Sequence, residues 1–192
     1  KYGLTSMEAI LALPESGKGC NPLIAPPLRL HDCSLVTDGA AALVLTTTAE
    51  AKAVSSQVVE IAGAGMATER LAESVRPNMH ELMAGKVAVN RSFEEAGVAI
   101  GDIDFAEVHD CFSINQLLTT EALGLAADGR AGFEYIDGRF TPEDDCPVNL
   151  SGGLKAKGHP VGATGLAQIL ELTTQLRGEA GKRQVQSPRI AL

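Results

Sequence analysis

Ile103-Asp104-Phe105-Ala106-Glu107-Val108-His109-Asp110-Cys111-Phe112-Ser113-Ile114-Asn115-Gln116 passes from an apolar, β-prone run, through a His-Asp-Cys triplet, into a helix start. Ser113 and Gln116 have the spacing of a capping box, which predicts a helix from Ser113 through Leu123, closed by Gly124. His109 and Cys111 then fall where a strand ends and a helix begins, the place where open α/β sheets bind ligands. A cysteine beside a helix N-terminus and a histidine is open to a lowered pKa and to proton exchange near neutrality. A packed thiol next to a hydrogen-bonded histidine fits the same letters.

A second cluster lies downstream. In Gly152-Gly153-Leu154-Lys155-Ala156-Lys157-Gly158-His159-Pro160-Val161-Gly162-Ala163-Thr164-Gly165, glycines surround one imidazole and a proline follows it. Proline suits the first position of a helix, which places His159 at the N-cap edge beside free backbone N–H groups. A neutral imidazole there accepts a proton from a thiol or donates one to a developing oxyanion. A glycine-rich turn with a solvated histidine is the other reading.

Elsewhere, Thr5 and Glu8 suit a capping box for a helix through Leu13, followed by turn and extended chain over 14–27. Residues 40–45 and 58–62 read as strands, the former an exposed edge, and residues 71–85 are ambiguous. A helix over 86–96 carries Val89, Phe93 and Ala96 on one face and stops at Gly97. Residues 126–147 read as a loop. The longest helix runs over 160–177 and presents Leu166, Ile169, Leu170, Thr173 and Leu176 as one core-facing stripe, with Gly178 as its cap. Strands alternating with helices predict a layered α/β fold on a mainly parallel sheet.

The chain has 192 residues, 45% of them hydrophobic, enough for one domain with a core. Its net charge of −8, with no Trp and no basic block, argues against a nucleic-acid surface. Lys155 and Lys157 remain available to a coenzyme phosphate. No apolar run reaches the length of a membrane span, and Lys1 does not begin a signal peptide, so the expected location is the cytoplasm. The 4 cysteines, Cys20, Cys33, Cys111 and Cys146, include no Cys-x-x-Cys pair. His31-Asp32-Cys33 repeats the letters of His109-Asp110-Cys111, but the spacing matches no finger or ribbon, and no metal site is expected.

Taken together, His109-Asp110-Cys111-Phe112 and Val148-Asn149-Leu150-Ser151-Gly152-Gly153-Leu154-Lys155-Ala156-Lys157-Gly158-His159-Pro160 resemble the sterol-carrier-protein-2 type thiolases. Other thiolases carry Asn-Glu-Ala-Phe at the first motif. Thr37-Asp38-Gly39-Ala40-Ala41-Ala42 and the tail from Gln175 to Val185 extend the resemblance over nearly the whole chain. It implies the family's layered fold, divided here into a loop-domain remnant (1–30), the last part of an N-terminal thiolase domain (31–54) and a C-terminal thiolase domain (55–192). Thiolases of this kind are longer, and the residues present resemble their later half. On this reading the nucleophilic cysteine, the last strand and a glycine-rich loop lie outside the sequence, and the chain alone is expected to be inactive.

The resemblance also implies chemistry. Thiolases make or cleave 3-ketoacyl-CoA by Claisen condensation or thiolysis, with coenzyme A as substrate and no resident cofactor. His159 matches the histidine that activates the nucleophile and helps hold the enolate oxygen, and His109 matches a donor of the same oxyanion hole. Cys111 matches the acid/base cysteine of the subgroup. Ser34 aligns with a serine that touches the pantetheine arm of coenzyme A, although a solvated turn hydroxyl suits it equally, and Gly158 belongs to the same binding surface. A homodimer is implied, with a peroxisomal location in a eukaryote. The alternatives are a thiolase-fold aldolase acting on β-hydroxyacyl-CoA with a small OB-fold partner, or a non-catalytic CoA-binding scaffold.

Overall fold

Ser6 opens the first helix of the computed structural model, which describes residues 6–192; its hydroxyl accepts the Ala9 N–H at 3.2 Å. The elements then run α1 (Met7–Leu11), β1 (Leu23–Ala25), β2 (Leu28–Arg29), α2 (Thr48–Val54), α3 (Met83–Ala96), α4 (Ser113–Ala122), α5 (Ala131–Ile136), α6 (Gly153–Lys157) and α7 (Thr164–Leu176). Ser6 takes the cap expected of Thr5, which lies outside the described residues, and α1 stops short of Leu13.

The organising segment is residues 103–108. It pairs in parallel on both sides, through bridges Phe105 to Ala191 and Ala106 to Val148. Asp104 N donates to Ile190 O at 2.9 Å on one side, and Asn149 N donates to Ala106 O at 2.8 Å on the other. Buried on both flanks, this segment needs the near-continuous apolar run its sequence has. Phe105 is 0% exposed, and Ala106, Val108, Ala126, Ala131, Phe140 and Val148 form the main core, against which Leu117, Leu123 and Tyr135 pack.

The helices sit on this centre. α3 packs on α4, and α4 on α5. α3 ends as expected at Gly97, whose φ of 67° suits the residue without a Cβ. It begins earlier than its periodicity suggests, so the ambiguous stretch resolves into a short 3-10 turn, Glu73–Val75, and the first turn of α3. The expected loop over 126–147 contains α5. Its Tyr135 hydroxyl accepts Gln116 Nε2 at 2.9 Å and meets Thr120 Oγ1 at 3.2 Å, a half-buried polar link that propensity alone does not reveal.

Residues 40–45 and 58–62 do not become strands. Extended chain forms a ladder only beside another strand about 4.8 Å away, and among the described residues neither segment has one. Val44 is left 96% exposed. Residues 63–65 lie flat on α3 instead: a Cβ on Gly65 would stand 1.8 Å from Ala88 O, so only glycine permits this approach.

α7 corrects two expectations. It starts at Thr164, because the Pro160 carbonyl accepts Ala163 N at 2.8 Å and Thr164 N at 3.0 Å and closes a turn first. In the chain by itself, three of the five positions of its apolar stripe also face outward, while Thr173 and Leu176 are half-buried. Leu166, Ile169 and Leu170 are exposed, Leu170 by 50%, whereas Gln175 is 0% exposed. The segment after α7 folds back and satisfies the polar face. Gln175 Nε2 donates to Arg183 O at 2.8 Å, Gln175 Oε1 accepts Val185 N at 2.9 Å, and Arg183 pairs with Glu171 at 3.0 Å. Total accessible surface is 12286 Å², against about 8,700 Å² for a compact monomer of 20.0 kDa.

Candidate active site

Two loops leave the same end of the central segment and bring His109 and His159 together, with ring centroids 4.9 Å apart in an edge-to-face arrangement. Carboxylates fix both loops. Glu107, buried in the central segment, accepts Ser151 N at 2.9 Å, Ser151 Oγ at 2.6 Å and Lys157 Nζ at 3.2 Å. Asp110, between the predicted histidine and cysteine, accepts Leu154 N at 2.9 Å through Oδ1. Asn149, at φ 58°, accepts Val108 N at 2.7 Å. A charge buried in an apolar run is stable only when paired and hydrogen-bonded, so Glu107 was a legible sign of such a clasp.

Residues 32–37 stitch the loops together. Cys33 bridges Phe112, and Val36 bridges His159. Ser34 N donates to Cys111 O at 2.8 Å, and Ser113 Oγ donates to Asp32 Oδ1 at 2.8 Å. Ser113 therefore does not cap its own helix: Phe112, with extended backbone, is the N-cap of α4, and the expected Ser113–Gln116 capping box is absent. Ser34 lies between the two loops, half-buried.

His159 does not sit at a helix N-cap. It follows the end of α6, a helix not anticipated in the glycine-rich run, and reaches α7 through its side chain: Nδ1 lies 2.7 Å from Thr164 Oγ1. Gly158 has φ 93°, and a Cβ there would meet Thr37 Oγ1 at 2.7 Å, so this glycine permits close approach of two chain segments. A cleft of about 420 Å³ opens beside His159, lined by residues 37–41 and 160–163. The two lysines are already engaged. Lys155 Nζ donates to Cys33 O at 2.7 Å, and Lys157 pairs with Glu107.

The Cys111 thiol is pushed up, not down. Burial is the main cause; the N–H of Phe112 opposes it and the Asp110 charge adds to it. Half-buried, Cys111 gains too little from the start of α4 to offset lost hydration. Among the described residues no group of His, Cys, Asp and Glu could hold a metal ion, and no helix is long and apolar enough to cross a membrane.

Burial also lowers the His109 pKa, with His159 adding to the shift and Asp110 opposing it. Above the ordinary value of 6.5 both folded and unfolded states are neutral. As pH falls through it, the unfolded chain takes up the proton first, so stability declines until the folded protein follows. Thermal melts of His109→Gln should show a flatter dependence on pH below 6.5 than the parent. Parallel curves would exclude His109 as a contributor.

A family profile described as "Thiolase C-terminal domain-like" matches residues 65–192. The acetyl-CoA acetyltransferase of Methanothermobacter thermautotrophicus is 45% identical over 170 residues, 88% of this chain and 44% of that protein. Human sterol carrier protein 2 is 44% identical over 171 residues, 86% of this chain and 31% of its own length. The chain thus spans less than half the length of these curated relatives. A solved Ltp2-ChsH2(DUF35) aldolase superposes with a TM-score of 0.79 at 20% identity, covering 97% of this chain and 47% of that one, and shows the shared fold. With the profile spanning most of the chain and both histidine loops inside the matched region, the chain belongs to the thiolase family, by its C-terminal domain.

Proposed function

We propose that this chain supplies the C-terminal half of a 3-ketoacyl-CoA thiolase active in lipid metabolism. The observation that carries the reading is the His109–His159 contact, held between two carboxylate-clasped loops at one end of the central segment. Two imidazoles so placed suit an oxyanion hole, where preorganised donors meet charge that develops during reaction. His159 activates the nucleophilic cysteine of the whole enzyme, His109 steadies the enolate oxygen, and Cys111 exchanges the proton at carbon. A thiol held above its usual pKa keeps its proton near neutrality; it is ready to protonate the enolate released in thiolysis and must first lose that proton to serve condensation. Ser34 and Gly158 contact coenzyme A, which enters as substrate. The setting is the cytoplasm, or the peroxisome in a eukaryote, and the whole enzyme is a homodimer.

The test is thiolysis of acetoacetyl-CoA by the protein in its natural length, beside the 192-residue chain. Activity is expected in the first and none in the second. Retro-aldol cleavage of a β-hydroxyacyl-CoA without thiolysis would replace this reading with the aldolase, to which the small OB-fold partner belongs.

A further inference from the structure

Thr164 is the first residue of α7 and only 2% exposed, so its hydroxyl proton must be placed within the protein. Its Oγ1 stands 2.7 Å from His159 Nδ1 and 3.2 Å from the Pro160 carbonyl oxygen. A hydroxyl has one proton to give and lone pairs to receive, and a carbonyl only receives. If the proton goes to Pro160 O, Oγ1 accepts from a protonated Nδ1, and both contacts are hydrogen bonds. If it goes to Nδ1, only one of the two is. In a buried position the arrangement that keeps both prevails.

We infer that Thr164 is a positioning residue that fixes the His159 tautomer, holding the proton on Nδ1 and leaving the Nε2 lone pair free. The inference builds on the proposed thiolase role of His159 and adds the side chain that holds its tautomer. Nε2 is then the atom that takes the proton from the nucleophile's thiol, which leaves Nε2–H as the donor to the oxyanion formed next. The second nitrogen of a catalytic imidazole is commonly governed by the hydrogen bond at the first. Here a neutral hydroxyl, itself tied to the turn that starts α7, serves that purpose where other sites use a carboxylate.

The test is nitrogen-15 NMR of the histidine-labelled protein in its natural length, with the His159 resonances assigned by His159→Ala. In the parent, at a pH where the ring is neutral, the Nδ1–H form should predominate. Thr164→Val keeps the shape and removes the hydroxyl; the ring should swing toward the Nε2–H form that free imidazole side chains favour, and kcat should fall by about 10-fold or more, within the loss a wrong tautomer produces elsewhere. Thr164→Ser should restore both. A parent ring already protonated on Nε2, or a Thr164→Val protein that keeps the Nδ1–H form, overturns the inference. Because the tautomer is read without turnover, it stands or falls separately from the thiolase reading.

Discussion

Gly153→Ala should destabilise the protein by roughly 2–5 kcal/mol, the sum of left-handed backbone strain and overpacking of a filled site. Gly153 is buried at φ 64°, and a Cβ there would stand 2.0 Å from Asp110 Oδ2. Asp110 cannot yield cheaply, because its other oxygen holds the N–H of Leu154, which is 0% exposed. Since Asp110 lies between His109 and Cys111, the displacement also moves the loop that carries both. Urea denaturation of Gly153→Ala against Gly162→Ala makes the comparison direct, as a Cβ at Gly162 meets nothing within 4 Å. Equal midpoints for the two variants would show that the Asp110–Leu154 clasp does not constrain the loop.

The second large effect divides the two half-reactions of the proposed thiolase. His159→Ala should slow acylation and condensation alike, each by about 10²–10⁴-fold, the usual worth of a general acid or base. Cys111→Ala should leave the acyl-enzyme burst nearly intact while blocking condensation, because only that step moves a proton at carbon. Rapid-quench measurement of the burst separates the two. A folded Cys111→Ala protein without a burst would make Cys111 the nucleophile.

Local signals served best where local forces decide. Gly97 stops α3 because the backbone there is left-handed, and residues 103–108 are extended because both flanks are covered. The two histidine motifs announced themselves by composition. What stayed hidden depends on distant partners. Periodicity showed that α7 is two-faced but not which face turns inward, because the tail that satisfies Gln175 and Glu171 is invisible to a window along the helix. Ser113 has the letters of a cap, yet Asp32 claims its hydroxyl from 81 residues away. Thr164 lies within the glycine-rich motif, and only the folded turn brings its side chain back to His159.

The outward stripe of α7 has a thermodynamic consequence. Water already hydrates Leu166, Ile169 and Leu170 in the folded protein, so unfolding exposes less new apolar surface there than in a helix of ordinary polarity. For the chain by itself, this helix therefore adds less to the heat-capacity increment of unfolding than the usual ~12–15 cal/mol/K per residue. Along that stretch the apolar contribution to stability varies less with temperature than it does for a helix buried in an oily interior.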